Sequence, residues 1–159
     1  MGEVKHNAYF EPLPDYLKGG GPLVFVVSWR APAENHDRLV EYIAEGGNIQ
    51  RLIPGQVAYS RTRTWFKPCD DGKTEQWWFM DEYDSAEAFE AMQKLVQSLL
   101  VSDRGAEFAK RQQKLLALMV PGTELVPVLF SEVGPSRIEF EPYAARATVI
   151  AHETQSQTN

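Results

Sequence analysis

Cysteine is nearly absent from this chain: Cys69 stands alone among 159 residues. One cysteine closes no internal disulfide, so no secreted disulfide framework is implied. A nucleophilic thiol needs a cation or a helix N-terminus beside it. Cys69 instead sits in Lys67-Pro68-Cys69-Asp70-Asp71-Gly72, followed by two aspartates, and reads as an unactivated turn thiol. Long apolar runs are missing too. Residues 23–27 and 125–130 are the longest, far short of the roughly 20 residues a helix needs to cross a bilayer. No leader pattern opens the chain, and a cytoplasmic protein with no membrane partner is expected. Histidine is scarce: His6, His36 and His152 fall in an N-terminal arm, near a helix start and in the tail. That dispersal speaks against a metal site, which needs three or four converging ligands. There is no glycine-rich phosphate loop, no His/Cys cluster at metal spacing and no nucleophile elbow, so neither cofactor nor metal is expected. Excess positive charge is lacking as well. With 16 Lys and Arg against 22 Asp and Glu, the net charge is −6, which repels phosphate backbones and argues against nucleic acid as a partner.

What is present suits one domain with a real core: 43% of residues are hydrophobic, over a length typical of a single domain. Residues 1–21, with Pro12, Pro14 and three consecutive glycines at 19–21, form an arm that Tyr9, Phe10 and Tyr16 could dock onto the body. Residues 22–133 carry the domain, and 134–159 form an extension whose polar end is expected to be disordered. The run Leu23-Val24-Phe25-Val26-Val27-Ser28-Trp29 predicts a strand covered on both faces. Asn35 is the candidate cap of a helix reaching to residue 52, bent at Gly46-Gly47. Residues 57–66 alternate as a strand, a hairpin loop follows at 68–72, and 75–83 form its partner. Ser85 caps a second helical segment, broken at 102–105 and stopped by Pro121-Gly122. The last strand, 125–130, contains Pro127 and is expected at a sheet edge, and 146–152 could add a short strand.

Strand, helix, two hairpin-linked strands, helix, strand predicts an α+β fold: a four-stranded antiparallel sheet with helices on one face, the ferredoxin-like β-α-β-β-α-β plan. Trp29, Tyr59, Trp65, Trp77, Trp78 and Phe79 look like too many large groups for helices on one side to cover. The open face therefore predicts a homodimer, sheet against sheet.

Three segments carry a family resemblance: Val24-Phe25-Val26-Val27, Ile53-Pro54-Gly55-Gln56-Val57-Ala58-Tyr59, and Phe79-Met80-Asp81-Glu82-Tyr83-Asp84-Ser85-Ala86-Glu87-Ala88-Phe89. Over residues 22–133 the chain resembles the antibiotic-biosynthesis-monooxygenase-like branch of the dimeric α+β barrel superfamily. The resemblance implies a cofactor-independent oxygenase acting on a small aromatic or polyphenolic compound. A non-catalytic dimeric binding or scaffold protein of the same fold is the alternative. Met92 stands where many members of that family carry a helix histidine. The first strand also lacks the asparagine of haem-degrading relatives, which argues against haem chemistry.

Arg61, Arg63, Tyr59 and Trp65 are expected on one face of the second strand. Guanidinium groups among aromatic rings can stack on and hydrogen-bond a planar, oxygen-rich ligand, and can stabilise the anion that meets oxygen. Trp65, Trp77 and Trp78 are candidate pocket walls. Asn48 and Arg51 are candidate lining between helix and sheet, and Asp81 is a general base if it is desolvated. The plainer expectation leaves both arginines facing solvent or pairs them with Asp81 and Glu82 across the hairpin.

Overall fold

In the run from Leu23 to Pro32 every second side chain is driven inward by its own hydrophobicity. Leu23, Phe25, Val27, Trp29 and Ala31 of this strand, β1 (Leu23–Pro32), are all buried, while the residues between them stay half-buried. A computed structural model describes residues 11–18, 21–45, 52–53, 55–123 and 128–132. The other elements are α1 (His36–Ala44), β2 (Arg61–Pro68), β3 (Thr74–Tyr83), α2 (Ala86–Val101), α3 (Gly105–Leu116) and β4 (Val128–Ser131). The strands form one antiparallel sheet in the order β2-β3-β1-β4. This is the ferredoxin-like plan, with β4 at an edge as Pro127 suggested; Pro127 itself lies outside the described residues.

The β2–β3 hairpin fixes the register. The Cys69 N–H donates to the Thr74 carbonyl at 2.9 Å. Asp71 accepts from the Lys73 and Thr74 N–H groups, both at 2.9 Å, and from the Thr74 hydroxyl at 2.7 Å. These bonds hold its carboxyl down at about 2. Gly72 takes the positive φ of 63° that the turn requires. Thr62 consequently faces Asp81, Thr64 faces Phe79 and Phe66 faces Trp77, while Arg63 faces Met80 and Trp65 faces Trp78.

The core lies between one sheet face and the helices. Leu39 and Tyr42 of α1 and Phe89, Met92 and Val96 of α2 pack on Leu23, Phe25, Val27, Trp29, Trp77 and Tyr83. Phe89 meets the edge of Tyr83 at 5.1 Å and the tilted ring of Phe25 at 6.2 Å. Met92, at the position where the resembled family carries histidine, is wholly enclosed in this core. Ser85 caps α2 as expected, its hydroxyl accepting from the Ala88 N–H at 3.2 Å. Asn35 does not cap α1 with its side chain. Its amide donates instead to the Leu118 carbonyl at 3.1 Å, tying the start of α1 to the chain beyond α3. The arm docks through Leu13 and Leu17, which are buried, and not through the ring of Tyr16, which is exposed. The Tyr16 hydroxyl reaches the Leu129 carbonyl at 3.0 Å, and Gln93 donates to the Glu11 carbonyl at 2.8 Å.

Two expectations are corrected. The second strand begins at Arg61 and not at residue 57, because the N–H and hydroxyl of Ser60 both turn onto the Glu82 carbonyl, at 2.8 and 3.1 Å. The aromatic surplus is also distributed differently. Trp29 and Trp77 are 3% and 2% exposed, stacked on the helix side with centroids 6.1 Å apart. Phe79 and Tyr59 pack on the same core. Of the six aromatics counted as too many for helices on one side to cover, Trp65 and Trp78 lie on the open face. Residues 46–51 of the first helical segment, the strand at 146–152 and the tail fall outside the described residues.

The α2–α3 junction needs glycine. A Cβ on Gly105 would run into the Leu100 backbone carbonyl, and backbone cannot yield as a flexible side chain does. Gly105→Ala is expected to cost about 2 kcal/mol, read as a lowered denaturant midpoint at unchanged m-value.

Candidate active site

Asp81 lies on the helix side of β3, between Phe25 of β1 and Thr62 of β2, and is 2% exposed. Burial opposes ionisation and pushes its carboxyl up to about 7, against the smaller opposing effect of a hydrogen bond from the Thr62 hydroxyl. Among the described residues, one carboxylate oxygen, Oδ1, is buried with no hydrogen-bond partner, and no cation pairs with the group. Asp81 therefore stays out of the cross-hairpin ion pair expected of it. Tyr59 packs edge-on against Tyr83, centroids 6.2 Å apart. Burial first, and the nearby Asp81 charge second, raise its phenol to about 12. The phenol thus remains a hydrogen-bond donor across the whole neutral range, while the carboxyl beside it can gain or lose a proton there. A base with a neutral-range pKa, flanked by a permanent donor and a hydroxyl, is suited to taking a proton from a weakly acidic C–H or O–H. Thr62, on the edge strand and exposed, stands at the side from which a ligand could approach.

The arginines belong elsewhere. Adjacent strand residues point to opposite faces, so Arg61, Arg63 and Trp65 share the open face with Trp78, Met80 and Glu82. Arg63 pairs with Glu82 and lies over the Trp65 ring, its guanidinium carbon 5.2 Å from the centroid. Tyr59, expected on that same face, is on the other one, because the chain turns at Ser60 before the strand begins. Trp77 is no wall beside Asp81. It is a core ring whose Nε1 donates to Glu75 at 3.1 Å. Asn48 and Arg51 lie outside the described residues. Thr62 escaped the sequence reading, yet a signal for it was there: pairing outward from Cys69 and Thr74 sets Thr62 opposite Asp81.

Among the described residues no three His, Cys, Asp or Glu side chains cluster as a metal site would require, and no helix is long and apolar enough to cross a membrane.

Strand order and two helical crossovers on one face define a ferredoxin-like α+β domain, with a carboxyl enclosed between sheet and helices. No protein-family model matches the chain, and no curated protein matches it. Three proteins are among the solved structures it is similar to. The first is an ethyl tert-butyl ether D (EthD) family protein from Bacillus halodurans, 12% identical, TM-score 0.40, covering 70% of this chain and 99% of that one. The second is the monooxygenase ActVA-Orf6 of Streptomyces coelicolor in complex with nanaomycin D, 16% identical, TM-score 0.44, covering 75% and 94%. The third is the hydroxynitrile lyase of Passiflora edulis, 15% identical, TM-score 0.41, covering 74% and 98%. The fold assignment rests on this chain's own strand order and crossovers and not on these likenesses.

Proposed function

We propose that the chain is a homodimeric, cofactor-independent monooxygenase-type enzyme that binds a small polyphenolic compound on the helix side of its sheet, with Asp81 as the general base. The observation that carries the reading is the buried carboxyl whose Oδ1 has no partner among the described residues and which titrates at about 7. In this reaction Asp81 takes the proton from an activated ring methylene, leaving a carbanion delocalised over the phenolic rings. Tyr59 hydrogen-bonds the oxygen that gains charge, while the Thr62 hydroxyl stays on Asp81. The anion reacts with O₂ to a hydroperoxide, which collapses to a ring carbonyl and water. The substrate supplies all four electrons: two hydrogens leave its carbon, one oxygen atom stays as the carbonyl and the other departs in water.

Dimerisation is part of the proposal because the open face remains apolar. Val24, Val26, Trp78 and Met80 form its half-buried middle. Trp65, Val128 and Phe130 are 42%, 45% and 54% exposed at its flanks. A second copy laid sheet to sheet covers this surface, and the Arg63–Glu82 pair then falls toward its rim.

Oxygen uptake with a panel of anthrones and quinols tests the reaction. Wild type should consume oxygen with at least one compound, Tyr59→Phe should lose about tenfold in kcat, and Arg61→Ala should keep the rate within about threefold. Saturable binding of these compounds with no uptake would replace the enzyme reading by that of a binding protein.

A further inference from the structure

At the opposite end of β3 from Asp81 lies a second titratable cluster. Six residues of extended strand separate Glu75 from Asp81, about 20 Å, so the two carboxyls do not share a site. Glu75 is 7% exposed and accepts two hydrogen bonds. One comes from Trp77 Nε1 at 3.1 Å, and the other from His36 Nδ1, 3.0 and 3.1 Å from its two oxygens. His36 opens α1 with 30% of its side chain exposed. Its ring meets the edge of Phe66 at 4.5 Å and lies 5.4 Å from Trp77. Phe66 stacks with Trp77 at 5.1 Å yet remains 45% exposed.

These contacts do more than tie α1 to the sheet. A buried carboxylate bonded to Nδ1 places the neutral imidazole's proton on that nitrogen and leaves the lone pair on Nε2. Nε2 has no partner among the described residues and is not among the enclosed atoms left without one. A structural tie needs only the Nδ1 bond. An oriented acceptor at the surface, beside an exposed aromatic ring with a second ring stacked behind it, presents what a hydroxylated aromatic ring requires. Nε2 accepts the O–H, and Phe66 takes the flat apolar body.

The geometry points to a second ligand site, in which His36 Nε2 accepts the hydroxyl hydrogen of a phenol stacked on Phe66, with Glu75 as the positioning residue. The site is independent of the reaction proposed at Asp81.

The probe is 4-nitrophenol, whose absorption moves to longer wavelength as its O–H bond is polarised. Titration with the full chain should give a saturable shift. His36→Gln and Phe66→Ala should each weaken binding about tenfold or more, and Val101→Ser, at an exposed position at the end of α2, should leave it unchanged. Nitrogen NMR of the wild-type imidazole, at a pH where it is neutral, should show the Nδ1–H form. Glu75→Gln should release that preference and weaken binding together. No shift with wild type, undiminished binding by His36→Gln, equal loss of binding in Val101→Ser, or an Nε2–H tautomer would each overturn the proposal. The tautomer measurement holds even where a variant fails to fold, and none of these outcomes depends on oxygen uptake.

Discussion

Asp81→Asn should make the protein more stable at pH 8 by about 2–4 kcal/mol and at the same time lower the proposed oxygenase rate at least a hundredfold. Both effects come from one charge. The carboxyl titrates at about 7 in the folded chain against 3.8 for the free group. Between these values the folded state holds a proton that the unfolded state has released. Stability is therefore fully present below about pH 4, declines as pH rises through the window from 4 to 7, and levels off above it. The displacement corresponds to about 4 kcal/mol, of which the variant regains part because the amide must find its own hydrogen bonds in the same enclosure. Asp71, held down at about 2, acts in the opposite direction but at lower pH, and so does not mask the slope. Denaturant unfolding from pH 4 to pH 8 should show the decline in wild type and a markedly flatter curve in Asp81→Asn. A carboxylate kept where it destabilises the fold is a known sign of function at the expense of stability. If the variant is less stable at pH 8, the enclosure of this charge is misjudged.

Met80→Lys should convert the proposed dimer to monomers while leaving each subunit folded. Met80 faces Val26 on one side and Arg63 on the other, in the middle of the open face. Two sheets packed face to face by a twofold axis receive every substitution twice. An ammonium without a partner costs about 3–5 kcal/mol at each buried position, and two of them weaken association by about 10⁴-fold or more. Sedimentation at micromolar concentration should show wild type at twice the chain mass and the variant at once, with the same far-ultraviolet circular dichroism. A wild-type monomer at that concentration would remove the dimer from the account.

The architecture was largely readable from periodicity. Alternation at 61–66 and 75–83, the Ser85 cap and the breaks at 102–105 and 121–122 all mark real elements, because each follows from local sterics and hydrogen bonding. What could not be read from alternation alone was which face of one strand joins which face of its neighbour. Arg61, Arg63 and Trp65 form one face of β2 in the sequence as they do in the structure. Whether that face continues into Trp77 and Asp81 or into Trp78 and Met80 depends on the parity of the hairpin loop, and a slip of one residue exchanges the two. Tyr59 was misplaced for another reason: Ser60 spends its hydrogen bonds on Glu82, so the alternating pattern continues for four residues beyond the strand. The role of His36 was invisible because it depends on Glu75, 39 positions away, and on the N-terminus of α1 lying over the start of β3.

The central claim is that Asp81 exchanges its proton near neutral pH. Carbon NMR of the Asp81 carboxyl, assigned by comparison with Asp81→Asn and followed from pH 3 to pH 9, reads this directly. A single transition centred near 7 is expected, and a carboxyl that titrates near 4, as a solvated aspartate does, would overturn the role proposed for Asp81.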